Sequence, residues 1–307
     1  MNIVFMGTPD FAECSLRALV EAGYNVSAVF TKPDMPVGRK RILTPPEVKV
    51  AALDLGIDVY QPTTLKDEEV YQTLKNLNPD LIVVVAYGKL LPKRVLDLPK
   101  YGCVNVHASL LPKYRGASPI QWAMVCGEKE TGVSTMLLDE GMDTGDVLLS
   151  AKTEISDSEN VEDLWDRLMV MGGKLLVETV KGLENGSITP IPQNENEASH
   201  APIIKKTDGL IDWSKTAFEI NCKIRGLHAW PVAYTKLDDK MLKIFSAEIL
   251  EKQGESGSVL ESEKEFVVAC GENALKITEL QLEGSKRMKT EEFLRGKKIT
   301  AKKLGDD

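Results

Sequence analysis

A mostly parallel α/β sheet with helices on both faces, followed by a small β-barrel, is the fold class predicted by this 307-residue sequence. Three observations predict it. Apolar strand-like runs alternate with helical patterns through the first half, the order that builds a parallel sheet. A polar stretch from 186 to 207, with Pro190, Pro192 and an Asn-Glu-Asn-Glu run, then breaks the periodicity. Beyond it, β-rich runs separated by turn residues follow one another closely, as in a small barrel.

Each element has its own reason. Ile3-Val4-Phe5-Met6 and Val26 to Phe30 are apolar enough for buried strands, and between them Phe11, Leu16, Leu19 and Val20 recur at helical spacing. Asp58-Val59-Tyr60, Leu81 to Val85 and Cys103 to Val106 are the next strands, with helical patterns at 47–55 and 67–77. Thr131 to Leu138 and Val147 to Thr153 add two more. Val161 to Leu183 reads as a long helix with Leu164, Leu168, Met171, Leu175 and Leu176 on one side. The chain therefore divides into a first domain at 1–185, a linker at 186–207 and a C-terminal domain at 208–307. In the last, a helix from Thr216 to Arg225 precedes strands at Val232–Lys236, Leu242–Ile249, Gly257–Leu260, Phe266–Ala269 and Leu275–Leu280. Gly7-Thr8-Pro9-Asp10-Phe11-Ala12 follows the first strand but lacks the glycine spacing that lets a dinucleotide pyrophosphate approach. The scaffold is Rossmann-like without a nicotinamide site. Ligands of such sheets bind at the carboxyl ends of the strands.

Composition narrows the class. No apolar run is long enough to span a bilayer, so no membrane partner is expected. The start, Met1-Asn2-Ile3-Val4-Phe5, reads as a strand and not as a signal peptide, which implies a cytoplasmic protein. Five dispersed cysteines without a Cys-x-x-Cys pair fit a reducing compartment and read as buried, inert thiols. With three histidines, no metal-ligand cluster is visible. The net charge of −8 argues against nucleic acid, but its distribution weighs the other way. From Lys286 to Lys303 eight Lys or Arg stand against two Glu, and local potential is what steers an anionic partner.

The densest chemistry lies in Asn105-Val106-His107-Ala108-Ser109-Leu110-Leu111-Pro112-Lys113-Tyr114-Arg115-Gly116. Residues two apart on a strand point to one side, so Asn105 and His107 project together. An amide donor beside an imidazole suits polarisation of a carbonyl and movement of a proton near neutral pH. Asp143 lies in a glycine-punctuated loop, Asp139-Glu140-Gly141-Met142-Asp143-Thr144-Gly145-Asp146, able to fold back over the strand end. An isolated Asn-x-His is more often a turn former beside a hydrogen-bonded histidine. Its surroundings reverse that reading here, whereas His200 and His228 lack such context and read as structural.

Asn105, His107 and Asp143, with Ser109-Leu110-Leu111-Pro112 and Arg115-Gly116, closely resemble the active site of the folate-dependent formyltransferases. Gly7-Thr8-Pro9-Asp10-Phe11 and Ala86-Tyr87-Gly88 extend the resemblance, which covers nearly the whole chain. It implies an OB-like barrel at the C-terminus and formyl transfer from 10-formyltetrahydrofolate, with no metal. By the same resemblance Ser109, Leu110, Leu111 and Pro112 contact the folate, while Tyr87, Gly88 and Leu90 line the pterin pocket. Asn105 would donate to the developing oxyanion. Proton transfer is left open between His107 and Asp143.

The acceptor is read from two basic regions. Thr31 to Lys49 is too long and polar for a tight strand-to-helix connection, and it carries Arg39, Lys40 and Arg41. The equivalent insertion in the resembled family enters the acceptor end of initiator tRNA. Lys286, Arg287 and Lys289 begin the basic tail of the domain expected to hold the same tRNA. Methionine on initiator tRNA is thus the expected acceptor, with an amino sugar or glycinamide ribotide as the alternative and a silent RNA-binding module as the third reading. A monomer is expected.

Overall fold

The computed structural model describes residues 1–38 and 40–305. The chain packs as two compact units: Met1–Gly116, Thr131–Thr153 and Trp165–His200 form the first, while Ala117–Glu130, Glu154–Leu164 and everything from Ala201 onward form the second. The first contains β1 (Asn2–Gly7), α1 (Asp10–Glu21), β2 (Asn25–Phe30), β3 (Met35–Val37), β4 (Ile42–Thr44), α2 (Glu47–Asp54), β5 (Asp58–Tyr60), α3 (Glu68–Leu77), β6 (Leu81–Val85), α4 (Lys93–Leu96), β7 (Cys103–His107) and β8 (Arg115–Gly116). After α5 (Pro119–Val125), which belongs to the second unit, come β9 (Glu130–Leu137), β10 (Val147–Glu154), α6 (Val161–Asn185) and β11 (His200–Ala201).

Among the described residues a seven-stranded sheet runs β10-β9-β7-β6-β1-β2-β5. The strands from β7 to β5 pair in parallel, and β9 joins β7 antiparallel. Alternation along the strands gives the sheet two apolar faces. Val4, Met6, Ala28, Phe30, Ile82, Val84 and Cys103 pack with Leu74 of α3 and Val95 of α4. On the other face Phe11 of α1 meets Trp165 of α6 edge-to-face at 5.6 Å. Bare backbone brings α6 in close: a Cβ on Gly172 would lie 3.2 Å from Phe11 and Val106, and one on Gly173 3.2 Å from Ala18. This is the mostly parallel sheet with helices on both faces that the alternating pattern predicts.

Within the stretch from Thr31 to Lys49, β3 and β4 pair antiparallel from Met35↔Thr44 to Val37↔Ile42. β-branched and aliphatic residues at Val37, Ile42 and Leu43 favour extended pairing even though the prolines forbid a long strand. One expectation needs correcting: not all five thiols are buried, since Cys126 is exposed and Cys14 only half-buried.

In the second unit α7 (Ala217–Gly226), β12 (Ala233–Leu237), β13 (Lys240–Leu250), β14 (Val259–Glu261), β15 (Phe266–Ala269), β16 (Ala274–Leu282), β17 (Met288–Lys289) and α8 (Thr290–Gly296) follow in order. Five strands line up as β12-β13-β16-β15-β14, and β17 adds to β16, all antiparallel. Register shifts near Ser246 bend the long β13, as bulges do. Its core is built from Trp213, Ile220, Ile224, Leu242, Ile244, Phe266, Leu275, Ile277 and Leu280, with Phe293 of α8.

Candidate active site

β7 ends at the carboxyl edge of the parallel sheet, with Val84 beside Asn105 in register. Asn105 and His107 share the parity of Cys103 and so project on one side, as predicted. His107 is 6% exposed, and its two ring nitrogens have different neighbours. Nε2 lies 2.9 Å from the carbonyl oxygen of Tyr114, while Nδ1 faces Asp143 Oδ2 at 3.6 Å. A carbonyl oxygen only accepts, so Nε2 carries the hydrogen and donates it. In the neutral ring Nδ1 is then the bare nitrogen, and it is the one that faces the carboxylate.

Asp143 reaches this place through local backbone. The residue is left-handed (φ 56°), and its Oδ2 accepts from the Gly116 N–H at 2.8 Å. Asp139 closes the loop's start, accepting from the Gly141 N–H at 2.9 Å and from Thr144 Oγ1 at 2.8 Å. Gly145 must be glycine, since a Cβ there would sit 1.9 Å from the Leu137 carbonyl oxygen. The structure therefore brings the His and the Asp together from two segments separated in sequence, with Asn105 projecting on the same side of β7 as His107.

The expected folate residues fall into three environments. Ser109 is fully buried and employed by the fold: its Oγ donates to the Lys113 carbonyl at 2.6 Å, and its own carbonyl accepts from Ser134 Oγ at 2.8 Å. Leu110, Leu111 and Pro112 are half-buried, with the Leu111 N–H donating to Ser134 Oγ at 3.2 Å and a cis Leu111-Pro112 bond. Tyr87 differs from expectation. Its ring is 1% exposed within the core cluster of Phe30, Val95 and Cys103, its hydroxyl has no hydrogen-bond partner, and burial pushes its pKa up to about 12. An aromatic there fills the core under the sheet edge instead of walling a pocket. Gly88 turns in the left-handed region (φ 71°), and Leu90 stands 77% exposed.

The basic residues also separate. Arg39 lies outside the described residues. Lys40 and Arg41 are exposed at the tip of the β3–β4 hairpin, beside apolar Met35, Val37, Ile42 and Leu43, which are themselves exposed. Lys286 and Lys289 are exposed as well. Arg287 is not a free cation: it pairs with Glu279 at 2.6 Å, meets His228 Nε2 at 3.1 Å and stacks 4.1 Å from the Phe245 ring centre. That bond holds the Glu279 carboxyl below the usual carboxylate range.

Sequence reasoning misses part of the frame around His107. There Arg115 stands only as part of a motif, and Gln193, Glu195 and Ser199 fall within the expected linker. In the structure Arg115 binds Gln193 and Glu195, and Ser199 binds Tyr114 and Arg115. The only signal is polar side chains in a proline-bearing stretch, which gives no partner. Among the described residues no His, Cys, Asp and Glu cluster could hold a metal ion, and no helix is long and apolar enough to cross a membrane.

The sequence pattern of formyl transferases matches residues 1–180, and that of the formyl transferase C-terminal domain matches 203–298. A methionyl-tRNA formyltransferase of Clostridium novyi (strain NT) is 50% identical over 97% of this chain and 98% of its own length. That of Caldanaerobacter subterraneus subsp. tengcongensis is 52% identical with the same coverage, 97% and 98%. Among solved structures, the sugar 3N-formyl transferase WlaRD superposes with a TM-score of 0.68 at 19% identity, over 93% of this chain and 99% of that one. HypX from Aquifex aeolicus in complex with tetrahydrofolic acid gives 0.63 at 18% identity, over 95% of this chain and 46% of that one. At those identities the two structures establish a shared fold.

Proposed function

The chain belongs to the formyl transferase family, and we propose that it transfers the formyl group of 10-formyltetrahydrofolate to the α-amino group of methionine on initiator tRNA, for translation initiation. One observation carries the chemistry: His107 Nδ1 faces Asp143 Oδ2 at 3.6 Å beside Asn105 at the end of β7. The acceptor is supported by relatives named for methionyl-tRNA that match nearly the full chain.

The amine nitrogen attacks the formyl carbon, a C–N bond forms, and negative charge grows on the formyl oxygen. The Asn105 amide donates to that oxygen, a contribution worth about 3–4 kcal/mol when the donor is preorganised. The amine must lose a proton and the departing folate nitrogen must gain one as its bond to carbon breaks. His107 Nδ1 and the Asp143 carboxylate, directly or through water, carry that proton. Because Nε2 stays bound to the Tyr114 carbonyl, the ring keeps its orientation through the cycle.

The folate lies along Ser109 to Pro112, where Ser109 holds the loop and Leu110, Leu111 and Pro112 supply apolar surface; Gly88 and Leu90 contribute from the neighbouring strand end. Arg39, together with Lys40 and Arg41 of the hairpin and with Lys286, Arg287 and Lys289, contacts the tRNA. Residues 1–185 act as the catalytic domain, 186–207 as the connection and 208–307 as the tRNA-binding domain, in a cytoplasmic monomer.

The test is formyl transfer from 10-formyltetrahydrofolate to charged initiator Met-tRNA, with elongator Met-tRNA and free methionine as controls. Rapid transfer to initiator alone is the expected result. No transfer with active folate would move the acceptor to an amino sugar or glycinamide ribotide.

A further inference from the structure

After α6 the chain turns back onto the site, and its residues bind both segments that hold His107. Gln193 Nε2 donates to the carbonyl oxygens of Asp143 at 2.8 Å and Gly145 at 2.7 Å. One amide group thus bridges the turn from which Asp143 presents its carboxylate. A non-glycine residue held left-handed is disfavoured on its own, so the turn needs bonds from outside. Gln193 Oε1 in turn accepts from Arg115 Nε at 3.0 Å. The Arg115 guanidinium, 3% exposed, is completed by Glu195, whose oxygens lie 2.8 and 3.0 Å from its terminal nitrogens, a two-pronged pairing with fixed geometry. Ser199 supplies its Oγ to the Tyr114 N–H at 2.9 Å and its carbonyl to the Arg115 N–H at 2.8 Å. The peptide that accepts from His107 and the loop that carries Asp143 therefore share one hydrogen-bonded frame.

We infer that Gln193 is a positioning residue for formyl transfer, holding the Asp143 loop against His107 while the Arg115–Glu195 pair anchors Gln193 itself. The inference rests on His107 and Asp143 being the catalytic pair. Gln193 acts through the carboxylate. Its polar atoms go to the two loop carbonyls and the arginine, so its contribution is orientation.

Gln193→Glu separates the two halves of the contact. It keeps the size and the bond to Arg115, but sets a carboxylate oxygen against the carbonyls of Asp143 and Gly145. Turnover should fall about 10²-fold, the scale of a catalytic group displaced by an ångström, while KM for folate and for charged tRNA stays within about threefold. In an Asp143→Asn background the same substitution should cost no more than about threefold, because both changes act on one group. Glu195→Gln is the second variant, with a smaller loss of kcat, again without a change in KM. Wild-type kcat in Gln193→Glu, or losses that multiply in full with Asp143→Asn, would overturn the inference. A fully active Asp143→Asn single variant would instead remove the catalytic pair itself, and the inference with it.

Discussion

Leu110 lies against the bare backbone of Gly132: a Cβ on that glycine would sit 2.6 Å from Leu110 Cδ2 and 2.1 Å from the Ala151 carbonyl oxygen. The leucine can rotate away, but the carbonyl cannot. Gly132→Ala should therefore push β9 from β10 and displace the Leu110 segment. We expect a loss of about 1–3 kcal/mol, as for other overpacked sites, together with a raised KM for the folate. Chemical denaturation and steady-state kinetics on the same preparation check both. An alanine variant with unchanged stability would mean that β10 yields at no cost.

Replacing the groups at the end of β7 should separate binding from chemistry. His107→Ala removes the proton carrier and should lower turnover by about 10²–10⁴-fold, with folate binding mostly intact. Asn105→Ala should cost about 10²–10³-fold, the loss typical of one oxyanion donor. Turnover of His107→Ala within about threefold of wild type would end its catalytic assignment.

Neutralising Arg39, Lys40 and Arg41 together should raise KM for charged tRNA and flatten its dependence on salt, since each phosphate left without its cation removes about one unit of slope. Folate KM should not move. Identical kinetics across a salt series would leave the exposed hairpin without a role in binding the RNA.

Alkaline stability follows from buried acids. Burial pushes Tyr87, Cys103 and Cys270 up to about 12, from ordinary values of 10.0 for tyrosine and 9.0 for cysteine. Above those ordinary values the unfolded chain releases protons that the folded chain keeps. Stability is thus fully present below pH 9 and falls as pH rises towards 12, by about 1.4 kcal/mol per pH unit for each group. Tyr87→Phe should make the fall above pH 10 shallower. At neutral pH it should not lower Tm, because the hydroxyl it removes has no partner. A raised folate KM in Tyr87→Phe would restore that residue to the pocket.

Much of the molecule is legible in its sequence because strand and helix periodicities are local. The runs Ile3–Met6, Leu81–Val85 and Phe266–Ala269 declared their strands, and Leu164 to Leu176 declared α6. A period of two residues also placed Asn105 and His107 on one side of β7. The motif around them, read with the basic stretches, pointed to the chemistry and the acceptor. Tertiary structure alone decided what those side chains touch. It set Asp143 Oδ2 at 3.6 Å from His107 Nδ1, sank the Tyr87 ring into the core, tied Arg287 to Glu279 and turned a polar linker into the clamp on the Asp143 loop. Spacing in sequence fixes direction within an element, but contacts across tens of residues depend on where loops return. That is set by packing, close backbone approach at glycines such as Gly145, and the need of buried groups such as the Arg115 guanidinium for partners.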